Sequence, residues 1–173
     1  MRHALARFLA PGALLASLSA CGLQPIYAGG GDGFVASQLA AVDVPAIPGR
    51  EGWLVRNALT ERLGRGTPDS SAGYRLDIVL DDDLEGLGLL TDDTIGRQRR
   101  ILRARYQLVD TATDTIILDA TAGSDAGIDV VSSEFATIAA EQTALENLAQ
   151  EVADQIVTRI TRTLRERQQG QAG

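Results

Sequence analysis

The chain has 173 residues with 23 acidic side chains against 16 basic ones, a net charge of −7, and all 16 are arginine. Such an excess of acid excludes a general nucleic-acid binder, because neutralising phosphates needs net or patched positive charge. Aromatic residues make up 4% of the chain, so a core of single-domain size has to be assembled from Leu, Ile, Val and Ala.

Arg2, His3 and Arg7 precede an apolar run over residues 8–18, with small residues and Cys21 after it and no acid before. Basic, apolar, then small at a cut site is the order of a secretory signal peptide, here residues 1–20. The run is too short for a membrane-spanning helix, which needs about 20 residues. Leu18-Ser19-Ala20-Cys21 resembles the bacterial lipobox, in which the cysteine is lipidated and becomes the mature N-terminus. Ordinary cleavage near Ala20 would instead leave the sole cysteine as a free thiol in an exported protein, open to oxidation. Each buried methylene contributes about 0.8 kcal/mol and one chain binds only marginally, so two or three chains on Cys21, palmitate among them, anchor the protein durably. By resemblance to lipoprotein sorting, Gly22 in place of an aspartate directs the protein to the outer membrane, on its periplasmic side. Losing Arg2 and Arg7 makes the mature chain more acidic still.

The glycine-rich stretch that follows reads as a flexible tether over residues 21–37. Residues 39–44 alternate loosely and end at Pro45, predicting an edge strand. Residues 50–63 carry Val55, Leu59 and Leu63 at steps of four and stop at Gly64, predicting a helix; Trp53 beside that stripe is expected as a core or groove anchor. Residues 74–81 alternate as a strand with Tyr74, Leu76, Ile78 and Leu80 on one face. The acidic, glycine-containing residues 82–96 are expected as a loop or hairpin tip. Residues 101–109 return with Leu102, Ala104, Tyr106 and Leu108 inward, and residues 115–122 with Ile116, Leu118 and Ala120 inward. From residue 133 to 167 there is neither proline nor glycine. Ser132 or Ser133 is placed to cap a long helix whose stripe runs from Phe135 and Ile138 to Leu164 and whose last turns are rich in arginine. Its length predicts that the last turns project beyond the sheet, and residues 169–173 are expected to fray. The order β-α-β-β-β-α over residues 38–168 predicts an α+β two-layer sandwich, a four-stranded, mostly antiparallel sheet with two helices on one face.

Cys21-Gly-Leu-Gln-Pro-Ile-Tyr27, Leu54-Val55-Arg56-Asn57-Ala58-Leu59, and the helix residues from Ser133 through Glu141 and from Leu148 to Ile156 resemble the LPS-assembly lipoprotein LptE (RlpB) family, in its alphaproteobacterial branch. The resemblance implies a non-enzymatic subunit without cofactor. It implies an outer-membrane lipoprotein that plugs and helps assemble the LPS-translocating β-barrel LptD and binds lipopolysaccharide during transport. Nothing in residues 82–96 matches the family. A second reading is a lipid-binding auxiliary lipoprotein of an ABC-type phospholipid transport system, since such proteins also begin Cys-Gly at the lipid site.

Arg97, Arg99, Arg103 and Arg105 share the strand face opposite the core, with Ile101 and Val109. Forked guanidinium groups beside apolar contacts suit a phosphorylated amphiphile. The competing account is cross-strand pairing with Asp77 and Asp81. Asp81, Asp83, Glu85 and Asp92 only loosely mimic a calcium loop, which needs Asp or Asn fifth and Glu twelfth between two helices, so residues 81–93 read as an acidic solvated loop and no metal is expected. The only histidine lies in the removed segment, and a hydrolytic mechanism would rest on Asp81 and Asp83 alone.

Overall fold

Most inward positions of three long strands are apolar in this chain, and two amphipathic helices lie across that face. The computed structural model describes residues 34–64, 73–87 and 96–171. The elements are α1 (Phe34–Ala40), β1 (Val42–Asp43), α2 (Gly49–Leu63), β2 (Tyr74–Gly86), β3 (Arg97–Asp110), β4 (Thr115–Asp129) and α3 (Glu134–Gln171). The sheet order is β1-β2-β3-β4, with β1 parallel to β2 and the other pairs antiparallel. This is the expected α+β sandwich, with the short α1 as an additional element.

The expected first strand shrinks to two residues. Leu39 and Ala40 instead close α1, where Ala41 N donates to Ser37 O, while Ala41 O accepts from Tyr74 N. Val42 and Asp43 pair with Tyr74 and Arg75, and Pro45 soon afterwards has no N–H to continue the ladder. In α2, Gly52, Val55, Ala58, Leu59 and Leu63 are buried, and Gly64 ends the helix at φ +89°. Trp53 is 63% exposed, which overturns the core alternative of the expected core or groove anchor. Gly52 holds the buried position, with the Ile47 carbonyl where a side chain would begin, and the next residue turns outward.

β2 continues through Gly86 rather than stopping at Asp81, overturning the loop reading for residues 82–86. Their partners are already extended: Asp82 lies opposite Leu102, Leu84 opposite Arg100 and Glu85 opposite Arg99. Residues 88–95 of the expected loop lie outside the described residues. β4 likewise runs on to Asp129 through Gly123 and Gly127, residues of poor strand propensity that β3 supplies with partners. A bulge between Leu108 and Val109 sets Leu118 opposite Leu108 but Ile116 opposite Val109. The extra residue reverses facing there, so Ile117 packs on the core and Ile116, expected inward, is exposed.

Ser133 caps α3, its Oγ accepting from Ala136 N at 3.4 Å. Leu145, Leu148, Val152, Ile156, Ile160 and Leu164 seat the helix on Leu76, Leu102, Tyr106 and Leu108. The buried Thr161 hydroxyl donates to Val157 O, so no polar group is stranded there. At 1.5 Å per residue α3 is about 57 Å long, little more than the roughly 50 Å of a strand like β4, so the expected overhang is small. Its exposed apolar residues are at the start, where Phe135 is 82% exposed and Ile138 is also open. Residues 169–171 continue the helix. Among the described residues no helix is long and apolar enough to cross a membrane.

Candidate functional site

Side chains alternate across a strand, so burial of Leu102, Ala104, Tyr106 and Leu108 against the helices sends Arg97, Arg99, Arg103 and Arg105 to the opposite face. All four are exposed there, as expected from the sequence. Their partners come from β4, not from β2. Arg97 Nε lies 3.5 Å from Asp129, Arg99 Nε 3.0 Å from Asp125, and Arg105 Nη2 3.2 Å from Asp119. Asp77 pairs with Arg75 on its own strand, and Asp81, though directly opposite Arg103 in register, makes no salt bridge among the described residues. The register explains the choice. Asp129 stands directly across from Arg97, while Asp125 and Asp119 stand on the diagonals of Arg99 and Arg105. Asp119 lies within the strand expected over residues 115–122, whereas Asp125 and Asp129 reach this face only because β4 extends to Asp129.

The pairs shape the charge of the face. A hydrogen bond from Gln107, at 2.9 Å, and then one from Arg105 hold the Asp119 carboxyl below its ordinary pKa. The bond from Arg99 does the same for Asp125 and raises the Arg99 guanidinium. Exposed pairs of this kind contribute little stability, but they do neutralise three of the four arginines. Arg103 makes no salt bridge among the described residues. It lines an open groove of about 490 Å³ with Arg105, Asp81, Thr121 and Val79, which is 73% exposed. The arrangement offers one uncommitted guanidinium beside an apolar side chain, able to hold an anionic group next to an acyl or alkyl surface.

The sequence-derived acidic positions do not converge. Asp81, Asp83 and Glu85 alternate along one extended strand, Asp82 turns inward to Arg100, and Asp92 lies outside the described residues. Among the described residues no three His, Cys, Asp or Glu are grouped to hold a metal ion. Cys21 lies outside the described residues.

The family model for lipopolysaccharide-assembly LptE proteins matches residues 39–160, most of the chain. The chain belongs to the LptE family. LptE proteins are lipoproteins of lipopolysaccharide assembly and a non-enzymatic family. The LptE match takes in every described helix and strand except most of α1 and the last turns of α3. The fold is shared with solved structures. A candidate lipoprotein of Caulobacter crescentus CB15 is 24% identical, with a TM-score of 0.65 over 78% of this chain and 98% of its own. Lipoprotein B of Nitrosomonas europaea is 14% identical, with a TM-score of 0.54 over 69% of this chain and 79% of its own. Rare lipoprotein B of Shewanella oneidensis is 12% identical, with a TM-score of 0.54 over 73% of this chain and 96% of its own. No curated protein matches the chain.

Proposed function

We propose that this chain is an outer-membrane lipoprotein that seats in the periplasmic opening of the LPS-translocating β-barrel LptD, supports its assembly, and binds lipopolysaccharide in transit. The match to the LptE family over residues 39–160 carries the reading. Residues 1–20 are the signal peptide, Cys21 the lipidated N-terminus, and residues 21–37 join the anchor to the domain. The outer face of the sheet is the lipopolysaccharide contact, through Arg103 and Arg105 beside Val79, with Arg97 and Arg99 further along β3. Support for this comes from the uncommitted Arg103 guanidinium and the exposed apolar side chain beside it, the two chemistries of a phosphorylated amphiphile.

Purification from membranes with a co-eluting β-barrel, together with photocross-links to lipopolysaccharide from positions 97–109, is the expected result. Recovery only as a monomer, with normal lipopolysaccharide export after depletion, overturns the reading. Altered phospholipid asymmetry with intact surface lipopolysaccharide would transfer the protein to a phospholipid transport system. Mass spectrometry of the processed N-terminus checks the anchor, with acyl chains on Cys21 expected.

A further inference from the structure

The arginines at the end of α3 divide into two sets. Arg167 lies 4.0 Å from Asp110, and Arg165 is engaged as well. Arg159 and Arg162 make no salt bridge or hydrogen bond among the described residues. Both line a cleft of about 440 Å³ between α3 and the edge strand β4.

Tyr106 lies in the same cleft. The residue is 1% exposed, and its hydroxyl, which makes no hydrogen bond among the described residues, opens to the cleft rather than being sealed in the core. Burial raises its pKa, against the opposing charge of Arg159, so the hydroxyl stays protonated and able to donate. Thr121 and Thr158 add hydroxyls to the walls. The acid in the cleft, Asp154, is already held by Arg62 of α2, at 2.5 Å from Nε and 3.3 Å from Nη2. What remains open is two guanidinium groups and an unpartnered phenol, a cationic recess in a chain whose net charge is −7.

We infer that this cleft is a second anion site, one that takes a phosphoryl group. Arg159 and Arg162 are three residues apart and therefore neighbours on the helix surface, so their forks converge on one ligand. Tyr106 donates from the floor. The cleft shares Thr121, Ala122 and Gln155 with the outer-face groove, which sets two cationic recesses back to back along β4. The inference deepens the reading above, in which the ligand is a phosphorylated amphiphile, although the recess itself asks only for a phosphoryl anion from a lipid headgroup or free in solution.

The test titrates the mature, detergent-solubilised protein by calorimetry with inorganic phosphate, short-chain phosphatidic acid and the matching diacylglycerol. Phosphatidic acid is expected to bind and diacylglycerol not to. Arg159→Gln with Arg162→Gln is expected to weaken binding about tenfold or more, the loss of a charge-assisted bond. Tyr106→Phe is expected to weaken it less, and Arg50→Gln, in α2 beside Glu146 and outside the cleft lining, not at all. Binding of inorganic phosphate without phosphatidic acid would support the site and assign it to free phosphate. Unchanged binding in the double arginine variant, or no binding by either phosphate compound, overturns the site. Co-elution of the barrel, read on the same double variant, is independent: a variant that loses phosphate and keeps the barrel leaves the proposed function standing.

Discussion

Arg100 and Asp82 meet diagonally across β2 and β3 on the helix-covered face, at 2.6 Å between Nη2 and Oδ2 and 2.9 Å between Nε and Oδ1. Their side chains are only 17% and 16% exposed, and Arg100 Nη1 also donates to Glu141 O of α3 at 3.1 Å. The hydrogen bonding of Arg100 to Asp82 is the main reason the guanidinium pKa is raised. One arginine thus joins two strands and a helix. Asp82→Ala strands that cation half-buried and is expected to cost about 2–3 kcal/mol, below the range for a fully buried pair. Asp82→Leu with Arg100→Met is expected to cost less than the single change. Urea denaturation of both variants checks the order.

Gln155 closes the free edge of the sheet. Its Oε1 accepts from Gly123 N at 3.2 Å and its Nε2 donates to Gly123 O at 3.1 Å, as a neighbouring strand would. Gln155→Ala is expected to cost about 1 kcal/mol for the exposed pair of bonds and to speed hydrogen exchange at the Gly123 amide. Exchange measured residue by residue separates this local opening from a global loss of stability.

A glycine decides the fit of α2. A Cβ on Gly52 would lie 2.5 Å from Ile47 O and 2.7 Å from its carbonyl carbon, backbone atoms that cannot swing aside. Gly52→Ala is therefore expected to destabilise by about 1–3 kcal/mol despite the better helix propensity of alanine. A lowered melting temperature checks this.

The packed middle of α3 and its N-terminal end respond differently. Leu148 is buried at the centre of the core, and Leu148→Ala is expected to cost about 2–5 kcal/mol. Phe135→Ser, at the open N-terminal end, is expected to stay within about 0.5 kcal/mol of the parent. Parallel chemical denaturation of the two variants tests the contrast.

Asp119 titrates below its ordinary value because Gln107 and Arg105 bond its ionised form. A depressed folded pKa gives stability that is present above the unfolded value, about pH 4, and is lost as pH falls through the lower folded value. Gln107→Ala removes the largest cause, and NMR titration of the Asp119 carboxyl is expected to show its pKa rise toward the ordinary value. An unchanged pKa would assign the shift to Arg105 alone.

The sequence by itself determined the inward faces of the strands and the spans of α2 and most of α3, because burial imposes a period of two or of about four that local residues display directly. It also placed the four arginines of β3 on the outer face, and Cys21-Gly-Leu-Gln-Pro-Ile-Tyr27 with the helix signatures pointed to the family that the comparison shows. Only the tertiary structure decided where strands end and which charges meet. Asp82 through Gly86 and Gly123 through Asp129 are strand because β3 offers them partners, a stabilisation with no trace in their own composition. Arg105 turns to Asp119 rather than to β2, and Ile116 turns outward, because register and a one-residue bulge fix neighbours across the sheet. The recess of Tyr106, Arg159 and Arg162 has the same origin: Tyr106 stands more than fifty positions before the two arginines in sequence and adjoins them only where α3 crosses the sheet.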